Sequence, residues 1–224
     1  MQQLSIVIPV LNEEHNIDVL LQRLAHYPDV EVIVVDGGST DNTVKKAKTC
    51  IETVFVSPIK GRAAQMNYGA RQASADVILF LHADTVLPQD FLIAIQNTMA
   101  SNNKCWGRFD VRFDGQHFIF KIIAQFMNWR SRWTGIATGD QAIFVRRSVF
   151  QEVGGFENIP LMEDIALSSR LKKKSQAICL REKVITSSRR WEEKGITKTI
   201  LLMWRLRLAY FLGVHPEKLV KQYY

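Results

Sequence analysis

Cysteine is scarce in this chain. Cys50, Cys105 and Cys179 are the only three, far apart, with no CxxC pair and no pair of histidines nearby. That spacing excludes a disulfide scaffold and a zinc site and points to a reducing compartment. Long apolar runs are missing as well. No window reaches the roughly 18 uncharged apolar residues that cross a bilayer; the nearest, 117–127 and 199–214, are broken by Lys121 and by Arg205 and Arg207. The N-terminus, MQQLSIVIPVLNEE, carries no basic leader and no small-residue cleavage site, and its apolar run contains Pro9. It therefore reads as a strand and not as a signal peptide, so a cytoplasmic protein is expected, soluble or peripheral at the inner face of the membrane. Two phosphate-binding signatures are absent too. The turn after the first strand is Pro9-Val10-Leu11-Asn12-Glu13-Glu14 where a dinucleotide fold needs GxGxxG, and no GxxxxGK[ST] occurs anywhere. With no repeat, low-complexity stretch or linker, residues 1–224 read as one continuous domain.

What is present is ordinary globular material: 224 residues, 47% hydrophobic and 23% charged, enough to bury a core. The net charge of +7 is unevenly placed. Residues 1–169 carry 15 basic and 18 acidic groups, and residues 170–224 carry 14 basic and 4 acidic, a local excess of +10. The excess is thus a property of the C-terminal quarter: a solvated basic face, or a surface for an anionic ligand or membrane. No recognised nucleic-acid module accompanies it, and no nucleic-acid partner is expected.

The first hundred residues alternate strand and helix. Continuous apolar runs predict strands over 4–10, 31–36, 53–57 and 77–81. Ile17, Leu20, Leu21 and Leu24 form one helical stripe. Asp41 is expected to cap a helix carrying Val44, Ala47 and Ile51, residues 62–73 form an Ala-rich helix, and Pro88 opens a helix that turns Phe91, Leu92, Ile95 and Met99 inward. Four β-α units in series predict a doubly wound, mostly parallel α/β sheet. Beyond residue 100 the rhythm loosens: strands over 105–113 and 141–146, an aromatic-rich helix over 116–133, a helix over 162–174, short strands near 177–180 and 184–186, and a last helix over 196–212. Residues 1–100 form the nucleotide-binding half and 101–224 the acceptor half in this reading.

In open parallel sheets ligands gather at the carboxyl ends of strands. Here three successive strand ends carry polar groups: Asn12-Glu13-Glu14, Asp36-Gly37-Gly38-Ser39-Thr40-Asp41, and His82-Ala83-Asp84-Thr85. Such groups accept hydrogen bonds from a base or ribose and hold a hard divalent cation through carboxylate oxygen.

The segments SIVIPVLNEEHNI (5–17), VIVVDGGSTDNT (32–43), KGRAAQMNYGA (60–70) and ILFLHADT (78–85), followed by GDQAIFVRRSVFQEVGGF (139–156), MEDIALSSRL (162–171) and RRW (189–191), resemble in serial order the motifs of family 2 glycosyltransferases. Among these the chain is most similar to short, stand-alone bacterial members often labelled selenodomain-associated transferases. The resemblance implies the GT-A fold and transfer of a sugar from a nucleoside diphosphate donor, usually a uridine one. It implies that Pro9, Asn12 and Glu13 line the nucleoside pocket, that Asp36 bonds the base, and that Arg62 sits near the base or diphosphate. Asp84 matches the last Asp of the DxD motif, which holds Mg²⁺ or Mn²⁺ against the diphosphate. Asp164 falls at the catalytic base, with Glu163 beside it as an acceptor or donor contact. The chemistry suits these types: a cation and an Arg stabilise the departing diphosphate, and a carboxylate takes the proton of the acceptor hydroxyl. Attack opposite the leaving group inverts the anomeric centre.

Two departures stand out. His82 occupies the first DxD position, as a weak metal ligand or as a packing group against base or sugar. At Arg189-Arg190-Trp191 the Gln of the processive QxxRW motif is absent, so Arg190 and Trp191 are left as donor or acceptor contacts and polymer synthesis is not expected. The helix over 199–212 is apolar on more than one stripe. It either packs on the sheet or lies in a membrane interface, with Trp204 and Tyr210 at headgroup level, which would suit a lipid-linked acceptor as opposed to a small molecule. The competing readings are a nucleotide-sugar-binding or regulatory protein with decayed catalysis, and a sugar nucleotidyltransferase, which wants a Gly-rich basic loop where this chain has Asn12-Glu13-Glu14.

Overall fold

A computed structural model of the chain describes residues 4–101 and 103–223. Eight strands form one sheet in the order β3-β2-β1-β4-β7-β6-β8-β5. Its left half is β1 (Leu4–Val10), β2 (Val30–Asp36), β3 (Val54–Val56) and β4 (Val77–Phe80), all parallel. The continuous apolar runs follow from this position, because strands covered on both faces have no solvent side to mark with polar residues. Ile6, Ile8, Val34 and Leu79 are fully buried, each contributing roughly 1.5–3 kcal/mol.

The right half departs from a doubly wound parallel sheet. β7 (Phe144–Arg146) pairs antiparallel with β4 and with β6 (Trp106–Phe113), β8 (Ile178–Thr186) runs parallel to β6, and β5 (Thr85–Val86) closes the far edge antiparallel to β8. The two short strands expected over 177–186 are one nine-residue strand, β8. Its charged stretch Arg181-Glu182-Lys183 hides the continuity; a register shift against β6 between Arg108 and Asp110 accommodates it.

Helices cover both faces. α1 (Ile17–Leu24), α2 (Thr43–Cys50), α4 (Phe91–Ser101) and α5 (Phe118–Thr134) bury their apolar stripes on one side. α3 (Arg62–Gln72), α6 (Arg147–Glu152) and α7 (Glu163–Leu171) cover the other. α3 lies so close to the sheet that a Cβ at Gly69 would stand 2.4 Å from Val7 Cγ1. The helix expected to open at Pro88 begins at Phe91, whose N–H bonds the Pro88 carbonyl. α2 begins at Thr43; Asp41 still serves that end, accepting the Thr43 N–H at 3.0 Å. The chain ends in α8 (Arg189–Lys194), α9 (Ile196–Phe211) and α10 (Pro216–Tyr223). α9 and α10 pack Leu206 and Leu219 on Met162 and Ile165 at the start of α7. Among the described residues no helix is long and apolar enough to cross a membrane.

Candidate active site

Two strand ends are tied together by one side chain. Gln65, buried on α3, donates from Nε2 to the carbonyls of Val10 and Val35, both at 2.8 Å. The Val10 carbonyl also accepts the Gly37 N–H at 2.9 Å, so the amide adds a second bond there while fastening α3 to the ends of both strands. Pro9 lies beyond the last β1–β4 pair, Val7 with Phe80, so its missing N–H interrupts no ladder on that side.

Asp36 ends β2 with its side chain folded into the following turn. It accepts the N–H groups of Gly38 at 2.8 Å and Ser39 at 3.0 Å, and the Ser39 hydroxyl. Asn12 sits at a left-handed φ of 55°, which Asn tolerates, and its Oδ1 accepts the Thr40 N–H at 2.9 Å. Glu13 receives the Asn16 amide at 2.7 Å, while its own N–H donates to Thr43 Oγ1 at 2.8 Å. Loops 11–16 and 37–43 are therefore one hydrogen-bonded unit.

A second group gathers at the start of α7. Met162 takes a left-handed φ of 71°, a strained backbone for a long side chain costing on the order of 1–2 kcal/mol. It turns the chain so that Glu163 and Asp164 occupy the first helical turn. Asp164 accepts the N–H of Gly139 at 2.8 Å and of Ile165 at 2.7 Å. Burial, then the charge of Glu163, push its pKa up from 3.8 to about 6 against those two N–H bonds, with Asp140 adding to the rise. Glu163 is buried, its Oε1 3.6 Å from Arg62 Nη1. Partial burial works against the charge of Arg62, whose side chain stays half-exposed, but Glu163, Tyr223, Asp140 and Asp164 more than offset it and its pKa is raised.

His82 points into this group, its Nδ1 3.6 Å from Asp140 Oδ1. A Cβ at Gly139 would come within 2.5 Å of the His82 ring, so only glycine lets that backbone N–H reach Asp164 past the imidazole. Burial raises the Asp140 pKa, yet His82, Arg62 and Arg190 together hold it below the usual carboxylate value. Arg130, on α5, is lowered by burial and held up by Asp164 and Asp140; its Nε and Nη2 have no hydrogen-bond partner among the described residues. The Arg190 guanidinium lies 3.5 Å over the Tyr223 ring and donates to the Tyr223 carbonyl at 3.1 Å.

The structure thus brings Arg62, His82, Glu163, Asp164 and Arg190 together. Sequence reading missed three contributors. Asp140 stands in the quoted segment GDQ, beside the glycine whose N–H meets Asp164, and that adjacency was its signal. Arg130 stands in the run Trp129-Arg130-Ser131-Arg132-Trp133 of α5, and Gln65 is a lone amide on the buried face of α3. Trp191 is turned the other way, edge-on to Phe113 at 5.7 Å and packed on the core. Asp84 lines a separate recess of about 220 Å³ with His15, Arg23, Asp114 and Ser187. It accepts the Thr85 hydroxyl at 3.4 Å.

Among the described residues no three His, Cys, Asp or Glu side chains converge as a metal cage. The donor set at Asp84, one carboxylate with Asp114 across the recess, fits Mg²⁺ or Mn²⁺ shared with a ligand's phosphates, since such ions commonly take one or two carboxylates and keep other positions for substrate oxygen. The cavities say little about ligand position. Asp164, Glu163 and His82 face a void of only about 10 Å³. A groove of about 810 Å³ runs between β6 and α5 and is lined by none of Asp36, Asp84 or Asp164.

The site thus joins acidic groups at the carboxyl ends of β1, β2 and β4 of an α/β sheet with a raised-pKa carboxylate facing arginines. Residues 5–154 match the family described as Glycosyl transferase family 2, and the chain belongs to that family. It is 26% identical over 237 residues to "Probable glycosyltransferase YdaM" of Bacillus subtilis (strain 168), covering 94% of this chain and 55% of that protein. It is 24% identical over 242 residues to poly-beta-1,6-N-acetyl-D-glucosamine synthase of Staphylococcus aureus (strain COL), covering 100% of this chain and 57% of that protein. The chain therefore spans little more than half the length of these relatives. Among solved structures, S. aureus TarS 1-349 in complex with UDP-GlcNAc has a TM-score of 0.67 at 19% identity, covering 83% of this chain and 58% of that one. The mannosyltransferase PcManGT from Pyrobaculum calidifontis, in complex with GDP-Man and Mn2+, has a TM-score of 0.67 at 20% identity, covering 98% of this chain and 64% of that one. At these identities the likeness establishes the fold, which is the GT-A fold.

Proposed function

We propose that this protein is a metal-dependent, inverting and non-processive glycosyltransferase that moves a sugar from a nucleoside diphosphate, a uridine one, to an acceptor hydroxyl. One observation carries the reading: Asp164, anchored by the Gly139 N–H at 2.8 Å, has a pKa lifted to about 6 in a group that contains Arg62, Arg130 and Arg190. A general base works best with a pKa near the operating pH.

Residues 1–100 hold the donor. Pro9, Asn12, Glu13 and Asp36 shape the nucleoside pocket, and the hydrogen bonds between their loops keep that pocket formed before ligand binds. Arg62 meets the diphosphate. Asp84 would hold Mg²⁺ or Mn²⁺ with the diphosphate oxygens; the ion, when bound, neutralises charge on the leaving group. On the acceptor side, residues 101–224, Asp164 takes the proton of the attacking hydroxyl and Glu163 keeps Arg62 in place. His82 holds Asp140 and is not a metal ligand in this assignment, because it faces Asp140 and not Asp84. Arg130 and Arg190 offer donors to donor or acceptor oxygens, and Trp191 backs that wall from the core. A charged donor does not cross bilayers, so the site faces the cytoplasm, where such donors are made.

Release of UDP from a panel of UDP-sugars with Mn²⁺ tests the proposal. Asp164→Asn is expected to reduce release at least about a hundredfold, the lower end of general-base contributions, with the fold intact. Wild-type turnover in that variant would remove the assignment. A binding protein with decayed catalysis, suggested by His82 at the first DxD position, would bind UDP and release none.

A further inference from the structure

Helix α5 is apolar on two sides. Phe120, Ala124 and Met127 lie in the core, while Phe118, Ile122, Phe126, Trp129 and Trp133 form a second stripe that faces solvent, Phe118 being 68% and Trp133 77% exposed. A helix apolar all round is ordinarily covered on every side. α9 repeats the pattern: Leu206 is fully buried, whereas Leu201, Trp204, Leu208 and Phe211 look outward, Phe211 at 78% exposed. The two stripes join through Phe126 and Trp204, ring centroids 5.9 Å apart, and Trp129 and Trp133 extend the band along α5 with centroids 5.2 Å apart. Scattered apolar residues are normal on a surface; a contiguous band of this kind marks an interaction site.

Charge selects the occupant. α5 (FIFKIIAQFMNWRSRWT) and α9 (ITKTILLMWRLRLAYF) contain six basic residues and no acidic one. Lys121, Lys198 and Arg205 are exposed beside the band. Tryptophan and phenylalanine flanked by Lys and Arg match the interface of an anionic bilayer, where the rings sit at headgroup level and the cations meet lipid phosphate. A second copy of the chain suits the face poorly, because a two-fold contact would set these cations against their own equivalents.

We propose that the α5–α9 face docks this protein on an anionic lipid surface. The same helices reach the site from behind: α5 carries Arg130 toward Asp164, and α9 packs Leu206 on Met162 and Ile165, the residues on either side of Glu163 and Asp164. Docking therefore holds the base beside the bilayer, within reach of an acceptor hydroxyl borne by an amphiphile. That last step rests on the transferase reading; the docking does not.

Flotation with phosphatidylcholine vesicles containing about 30% phosphatidylglycerol tests it, with pure phosphatidylcholine as control. The full chain is expected to float with the anionic vesicles and at least about tenfold less with the neutral ones. Trp133→Glu with Phe211→Glu, both outward-facing, should cut binding at least about tenfold while the thermal melt and its shift with UDP stay unchanged. Three results would overturn docking: no flotation of folded wild type, unchanged flotation of the double variant, or a dimer in sedimentation that the double variant dissolves. UDP release in the same samples reports separately on the transferase reading.

Discussion

Asp164 spends stability to hold a proton near neutral pH. Its folded pKa of about 6 lies above the ordinary 3.8, so between those values the folded chain binds a proton that the unfolded chain has lost. Stability from this residue is therefore greatest below that window and declines as pH rises through it. Asp164→Asn removes the penalty, and thermal melts at neutral pH should show a gain on the order of 1 kcal/mol, about 2–4 °C for a chain of this size. Activity runs the other way. The base must be ionised, so kcat/KM of the wild type should fall about tenfold per pH unit below pH about 6 and level off above it. A flat profile down to pH 4 would remove Asp164 from the role. The residue was legible in the sequence through the motif MEDIALSSRL, but its pKa was not, because burial and the Gly139 N–H come from outside that segment.

At the scale of elements, α5 is pinned to β6 by charge. Arg108 is fully buried; it pairs with Asp110 and donates from Nη2 to the Asn128 carbonyl of α5 at 3.0 Å. Arg132 of α5 grips the same carboxylate through two bonds of 2.7 and 2.9 Å. The Asn128 side chain completes the join, pairing with both the N–H and the carbonyl of Val111. Because β7 is short, no strand among the described residues pairs with that stretch of β6 on this side, and a helix side chain takes the place of a ladder. Asp110→Ala leaves Arg108 buried and unpaired and is expected to cost about 3–5 kcal/mol in urea unfolding. Arg132→Met, which removes only the half-exposed partner, should cost about 1 kcal/mol or less. Equal costs would show that Asp110 is not the counter-charge Arg108 depends on. None of this was visible beforehand: the strand expected over 105–113 carries Arg108 and Asp110 two positions apart, and nothing local shows that α5 covers them.

For the molecule as a whole, charge divides the work. The carboxylates at the ends of β1, β2 and β4 sit in the mildly acidic residues 1–169, and the excess of +10 lies in residues 170–224, which include the exposed α9 surface. UDP with Mn²⁺ should raise the melting temperature: at a hundredfold excess over Kd a ligand of the native state adds about 2.7 kcal/mol, roughly 5–10 °C here. Chelating the ion with EDTA should remove most of that shift if Asp84 shares a cation with the diphosphate. An equal shift in EDTA would leave Asp84 without a metal and point to Arg62 and its neighbours as the sole diphosphate ligands.

The sequence by itself determined the first four strands, the polar groups at their carboxyl ends, and the acidic pair at the head of α7. These are local: an apolar run, a turn residue and a short motif carry their meaning within a few positions. The tertiary structure alone decided which distant groups act on that pair. Gly139 reaches Asp164 across 25 positions of chain, Arg130 arrives from another helix, and Gln65 joins two strands from a third. It also decided the fate of α5 and α9, whose apolar stripes look alike in sequence. Burial is a property of what covers a side chain, and no stripe of residues specifies whether its cover is the core, a partner or a membrane.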